Sequence, residues 1–401
     1  MIKDFILNFI AVGLPIVVMQ LFILPAVNSI VGSEAYGLIV SMIALINTVP
    51  VAIGNSLCNT RQLLEGTYRK QGLLGDFNLL LIVFSVAGSL VTLCVSLSYG
   101  YGLLDTLLIC LSGVFMLLFN YLVVEYRLTL NFQGVVIANA VATVGTVVGA
   151  ILFFAVGIWQ LILIIGYLFG SLYISVRTKV LEGGLRKTPL WKKTCKLEIT
   201  LLFSLVFLGL VNYGDRLILL PLQGSSAVSI YYIASLVGKL LVTVIAPMST
   251  VILSYAARSE KLSRRKTIGL LCVSLTIGII FWIVTIIFAP YVIEFLYPNE
   301  AVEAVKYVPI VTAVAVIQSL CSVLNPTLLR FYSAKWQIVS NALAFTMLSV
   351  LGTVLSSSLG LIGFCMGCFI AMLFKLALIL FLILAAKSTA LYETLNTTGE
   401  L

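Results

Sequence analysis

The chain of 401 residues is 61% hydrophobic and only 10% charged. A soluble domain is roughly a quarter charged, so this composition leaves too little polar surface to cover the molecule in water. The formal charge of +9 would suit nucleic acid, but the basic residues lie between apolar runs, where they set membrane topology; no nucleic-acid partner is expected.

In chain order, apolar runs occupy Phe5–Ile30, Leu38–Leu57, Leu79–Leu97, Leu103–Val124, Val135–Val156, Leu161–Ser175, Ile199–Leu222, Ser229–Tyr255, Thr267–Ala289, Val308–Leu329, Ile338–Ser357 and Leu361–Ala386. Runs of this length are transmembrane-helix candidates, about twelve in all, since a crossing needs about 20 apolar residues. Barrel strands would alternate polar and apolar residues. The fold class expected is therefore an all-α integral membrane protein. The stretch Met1 to Asn28 is too long for a signal peptide and lacks a small-residue cleavage pattern, so it reads as a retained first span.

Basic residues set the orientation. With the N-terminus inside, Lys3, Arg61, Arg69, Lys70, Arg127, Arg177, Lys179, Arg186, Lys187, Lys192, Lys193, Lys196, Arg258, Lys261, Arg264, Arg265, Lys266, Arg330, Lys335 and Lys387 all fall on the cytoplasmic side. Only Lys306 falls outside, and Arg216, Lys239 and Lys375 lie within spans. The positive-inside rule thus predicts that both termini are cytoplasmic, in a multi-pass protein of the inner (plasma) membrane. The outer connections are short; the longest, Tyr291 to Tyr307, is too small to form a domain. The sequon Asn396-Thr397-Thr398 would face the wrong compartment for glycosylation.

The largest basic stretch lies near the middle of the chain and predicts two six-helix lobes. These are residues 1–176 and 198–386, joined by a cytoplasmic linker at 177–197 and followed by a tail at 387–401. Leu24-Pro25 matches Leu220-Pro221, Pro50 matches Pro247 and Arg61 matches Arg258, at offsets of 196 or 197. Gly32-Ser33-Glu34-Ala35 also resembles Gly224-Ser225-Ser226-Ala227. Two halves of even helix number would be parallel repeats, an arrangement in which transporters bind substrate between the halves. Pro50 and Pro247 are gating or kink candidates, because an interior proline removes a helix hydrogen bond; membrane helices also tolerate proline without any such role.

Charged groups at membrane depth are costly and mark candidate functional sites. Asn212 and Asp215, three apart, and Asn212 and Arg216, four apart, have the spacing of helix neighbours. Asp215 and Arg216 suit either a structural ion pair or coupling through Asp215. Lys239 and Lys375 lie too far from helix ends for easy snorkelling, and no acid shares their spans. They call for an acid from another helix or an anionic, phosphate-bearing ligand. Uncharged polar positions include Gln20, Asn28, Asn47, Asn55, Gln318 and Asn325. Cys365 and Cys368 form a CxxC, but without histidine or a second pair they are expected to pack as small apolar side chains. No metal site is expected.

The segment Asn212-Tyr213-Gly214-Asp215-Arg216, followed by Gly224 and Tyr231-Tyr232-Ile233-Ala234-Ser235, resembles the seventh and eighth helices of Wzx-type polysaccharide-biosynthesis flippases. The outer Leu296-Tyr297-Pro298 with Ala301 and Ala304 is similar to that family's loop before the tenth helix. These flippases belong to the superfamily that includes MATE drug exporters. The acidic first-helix residue of many drug exporters is absent here, where Gln20 and Asn28 stand.

The resemblance implies a MATE-like pair of six-helix lobes that alternate between inward- and outward-facing states. It implies transfer of polyprenyl-pyrophosphate-linked oligosaccharide from the cytoplasmic to the outer leaflet, as in O-antigen, lipopolysaccharide or other polysaccharide biosynthesis. Arg216, Lys239, Lys375 and Asn212 are the candidate substrate contacts and Asp215 the candidate coupling residue. No cofactor is expected beyond a proton or sodium gradient; membrane lipids and a glycan polymerase are the candidate partners. Two alternatives stand: a cation-coupled drug or metabolite exporter, and a membrane-embedded glycan polymerase or glycosyltransferase. The enzyme is disfavoured by the lack of histidine, of a large outer loop and of clustered carboxylates.

Overall fold

A computed structural model describes residues 10–11, 13–182, 184–240, 264–331 and 334–385. Pro247, Arg258, Lys261 and the tail at 387–401 lie outside the described residues. Among the described residues, all regular structure is helical: α1 Leu24–Thr48, α2 Pro50–Lys70, α3 Phe77–Ser98, α4 Leu103–Leu122, α5 Val124–Leu128, α6 Phe132–Val156, α7 Gln160–Arg177, α8 Trp191–Gln223, α9 Arg264–Leu296, α10 Val308–Phe331 and α11 Ala334–Ala385. Nine helical segments among them are long and apolar enough to cross a membrane. The chain is a multi-pass membrane protein.

Two of those segments are long enough for two crossings. Gly13–Lys70 runs 58 residues and Trp336–Ile383 runs 48, or about 87 and 72 Å at 1.5 Å per residue, against a hydrocarbon core about 30 Å thick. Each is interrupted by a glycine outside helical dihedrals: Gly32 in α1 (φ 78°) and Gly360 in α11 (φ 63°). L-residues with a Cβ rarely adopt these conformations, so the glycines mark where the chain redirects. Gly224, the counterpart of Gly32 in the sequence match, also has a positive φ, 82°. A helix resumes after it over 225–240.

Prolines shape the first segment differently. Pro25 cannot donate a backbone hydrogen bond, and just before it the helix widens to a π-turn, Met19–Ile23, where the Leu24 N–H donates to Met19 O. Pro50 opens α2 after Val49, a first-turn position where its missing N–H costs nothing. Its ring lies against α4, since a Cβ on Gly113 would stand 2.9 Å from Pro50 Cγ.

Contacts divide the chain into two compact units, Met1–Leu217 and Ile218–Leu401, so that α8 crosses from one to the other. α8 begins at Trp191, and residues 191–197 of the basic linker are therefore helical. In the first unit the core gathers Ile53, Leu57 and Leu64 of α2, Leu80 of α3, and Leu117 and Tyr121 of α4. Hydroxyls within the helices are satisfied locally: Ser41 donates to Gly37 O, Thr92 to Gly88 O and Thr143 to Asn139 O, the back-bonding typical of Ser and Thr inside helices. Large apolar side chains stay exposed on outward faces, as Val144, Ile151, Val354 and Phe381 do, which a lipid environment accommodates.

Close helix packing relies on small residues. On α6, a Cβ added to Gly145 would lie 2.8 Å from Ile165 O and 3.0 Å from Gly166 Cα of α7, so only glycine permits this approach. Gly145→Leu is expected to force α6 and α7 apart at a cost of about 1–3 kcal/mol. It would lower the thermal-aggregation temperature of the detergent-solubilised protein, while Val144→Leu on the exposed face would leave it unchanged.

Candidate functional site

Asp215 and Arg216 of α8 belong to the first unit. Asp215 and Arg216 are both 5% exposed. Asp215 Oδ1 accepts from the Arg216 backbone N–H at 2.9 Å, and the Arg216 guanidinium lies 5.8 Å from the Tyr213 ring centroid. The Tyr99 hydroxyl, at the end of α3, donates to Leu217 O at 2.8 Å. Tyr99 thus anchors this helical segment, and its asparagine, Asn212, is half-buried on the same stretch.

The second unit holds the two lysines. Lys239 lies in the helix over 225–240, 5.7 Å from the Tyr231 ring centroid, a cation–π arrangement. The Tyr231 ring in turn meets Phe364 edge-on at 5.6 Å. Lys375 on α11 is 2% exposed. The Cys321 thiol of α10 lies within its electrostatic reach. Among the described residues no carboxylate lies within ion-pair distance of Lys375. Cys365 and Cys368, also on α11, are both buried.

Of the residues singled out from sequence, Asn212, Asp215 and Arg216 share the first unit and Lys239 and Lys375 the second. Pro50 is at the α1–α2 junction. Sequence reading passed over Asn341 of α11, which is fully buried with neither amide atom hydrogen-bonded among the described residues. It also passed over two buried carboxylates that tie the linker and the start of α8 to α2.

Glu198, near the start of α8, is completely buried. Its two oxygens accept from Ser56 Oγ at 2.5 Å and Thr60 Oγ1 at 2.6 Å. Those hydroxyls are four apart on α2 and so lie on one face. Asp76, in the turn before α3, is also fully buried. It accepts from the Tyr68 hydroxyl at 2.5 Å, the Thr188 N–H at 2.8 Å and the Thr188 hydroxyl at 2.5 Å. The Asp76 N–H donates to Arg186 O at 2.8 Å. Arg61 completes the attachment, donating from one terminal nitrogen to Tyr121 Oη at 2.8 Å and Val180 O at 2.9 Å. The only sequence signal for this network was an isolated acid at the edge of an apolar run. No group of three or more potential metal ligands occurs among the described residues.

No protein-family model and no curated protein matches the chain. Its fold does match solved structures. An inward-facing multidrug resistance MATE family transporter of the MOP superfamily matches with a TM-score of 0.68 at 13% identity, covering 98% of this chain and 96% of the other. The lipid II flippase MurJ, in an inward closed conformation, matches with a TM-score of 0.66 at 16% identity, covering 96% and 87%. A MOP superfamily transporter from Pyrococcus furiosus, described as having a binding pocket of reversed polarity, gives a TM-score of 0.64 at 13% identity with 96% of each chain covered. The fold is that of these MOP superfamily transporters.

Proposed function

We propose that this chain is a flippase for polyprenyl-pyrophosphate-linked oligosaccharides, carrying them from the cytoplasmic to the outer leaflet of the plasma membrane by alternating access. The observation that carries the reading is Lys375: a lysine 2% exposed on a membrane helix, with no carboxylate in ion-pair distance among the described residues. A buried cation without a paired anion is expensive, and an anionic substrate head offsets that cost while bound. Lys239, Arg216 and Asn212 are proposed as further contacts to the diphosphate or sugar. Asp215 is proposed to couple the cycle to a proton or sodium gradient. The fold shared with a lipid flippase supports this reading.

The proposed topology has about twelve spans in two six-helix lobes, with both termini cytoplasmic and the basic linker on the same side. Gly32 and Gly360 then divide the two over-long helical segments into paired spans. Pro50 and Pro247 would supply the bending points of the cycle. A glycan polymerase that consumes the exported unit is the proposed partner. A second reading, a cation-coupled drug or metabolite exporter, is favoured by the fold shared with MATE transporters.

The test is complementation of a strain lacking its own flippase. Lys375→Ala, Lys239→Ala and Arg216→Ala are each expected to abolish glycan export while the protein still inserts in the membrane, and Lys375→Arg is expected to retain part of it. Normal export by all three alanine variants would overturn the reading. Failure of the unmodified chain to complement, together with drug resistance conferred on the host, would select the exporter.

A further inference from the structure

Between the end of α2, the turn before α3, α5 and the start of the linker lies a cavity of about 500 Å³, wholly within the first unit. Its walls carry both signs of charge: Arg61, Arg69 and Lys179 against Glu65, Glu125 and Glu182. A phosphate dianion alone would meet three carboxylates, and a cation alone would meet three basic groups. A neutral sugar would offer none of the six an opposite charge. The lining suits a ligand that is itself of both signs.

The wall charges do not satisfy one another. Lys179 and Glu182 pair at 3.4 Å, but their side chains are 84% and 64% exposed, and such surface pairs contribute little. Arg61 Nε stands 3.9 Å from Glu65, beyond hydrogen-bond reach. Among the described residues Arg69 and Glu125 have no ion-pair partner. Arg61 is the informative member. One terminal nitrogen is committed to Tyr121 and Val180, and the guanidinium lies 5.5 Å from the Phe77 ring centroid. Neutral groups therefore hold the head in place; Nε is shielded from the cavity, and the second terminal nitrogen makes no hydrogen bond among the described residues. A guanidinium has five N–H donors in a fixed fork, so this one has donors to spare at the cavity wall. Such preorganisation favours an anionic oxygen acceptor.

We propose that this cavity binds a small zwitterion, with a phosphate or carboxylate on Arg61 and Arg69 and an ammonium on Glu65 and Glu125. An amine-bearing phosphate ester has this chemistry, either as a free metabolite or as the headgroup of an ethanolamine phospholipid. The site goes beyond the proposed transport function. Its test reads binding alone, so its failure would leave the flippase reading standing.

The full chain is reconstituted in nanodiscs of phosphatidylglycerol, and phosphoethanolamine is titrated calorimetrically. Binding is expected, with inorganic phosphate and ethanolamine each at least about tenfold weaker, or about 1.4 kcal/mol. Arg69→Gln and Glu125→Gln are each expected to weaken it by about tenfold with unchanged thermal stability. These two positions are chosen because Arg61 also holds the linker. In a parallel arm, native mass spectrometry after addition of phosphatidylethanolamine reads retained lipid, again lost in both variants. Calorimetric binding identifies the free ligand, and retained lipid alone identifies the headgroup. Binding in neither arm, equal binding of phosphate and phosphoethanolamine, or indifference to both substitutions would overturn the proposal.

Discussion

Asp76→Ala is expected to release the linker from α2 and the turn before α3. The carboxylate is completely buried and accepts three hydrogen bonds, two of them from Thr188 of the linker. Removing it leaves the Tyr68 hydroxyl with Thr194 as its hydrogen-bonding neighbour, at 2.6 Å, and strands the Thr188 N–H. Orphaning buried donors costs about 1–3 kcal/mol each. Thr188 is half-buried and regains water, so the net loss should be about 2–4 kcal/mol. In detergent this would lower the apparent unfolding temperature by on the order of 5 °C. Limited proteolysis should cut the variant after Arg186 and Lys187 well before the unmodified protein. Asp76→Asn offers an NH₂ where an oxygen accepted, and is expected to recover only part of the stability. Equal protease resistance of the alanine variant and the unmodified protein would refute the anchoring role.

The second large effect is expected at Glu198. While Ser56 Oγ keeps Ile53 O at 2.9 Å, Glu198→Ala leaves the buried Thr60 hydroxyl without its acceptor. It also opens a cavity where the side chain packed, for a combined loss of about 3–5 kcal/mol. Because both partners of a hydrogen bond can be replaced by apolar groups of similar shape at little cost, the triple variant Ser56→Ala, Thr60→Val, Glu198→Met should be more stable than Glu198→Ala. That reversal is a coupling that additive contributions cannot produce. Thermal unfolding of the variants measures it, and additive losses would show that the three side chains do not act together.

Much of this organisation was visible in the residues themselves. Lipid cannot hydrogen-bond a backbone, so a run such as Phe132–Val156 has to be a helix whatever surrounds it. The charges of α8 were legible because Asp215 and Arg216 are conspicuous in apolar sequence, and Lys375 likewise. The same logic missed Asn341, since a single amide in a long run looks tolerable until its burial and lack of partners are known. Glu198 and Asp76 were missed for a different reason. The hydroxyls that hold Glu198 come from residues 142 and 138 positions earlier, and the threonine on Asp76 lies 112 positions later. No local pattern records pairings of that range.

Composition and run length by themselves determined that the chain is helical and membrane-embedded, because hydrocarbon imposes one solution on every apolar segment regardless of tertiary context. The sequence match paired Gly32 with Gly224, but the positive φ at both was shown only by the structure. Which groups meet was decided only by the tertiary structure. Folding brought α2, the α3 turn and the linker together, so that two isolated acids became buried anchors and six scattered charges became one cavity wall. A hydrogen bond depends on positions in space to within a few tenths of an ångström, and those are set by packing across distant segments.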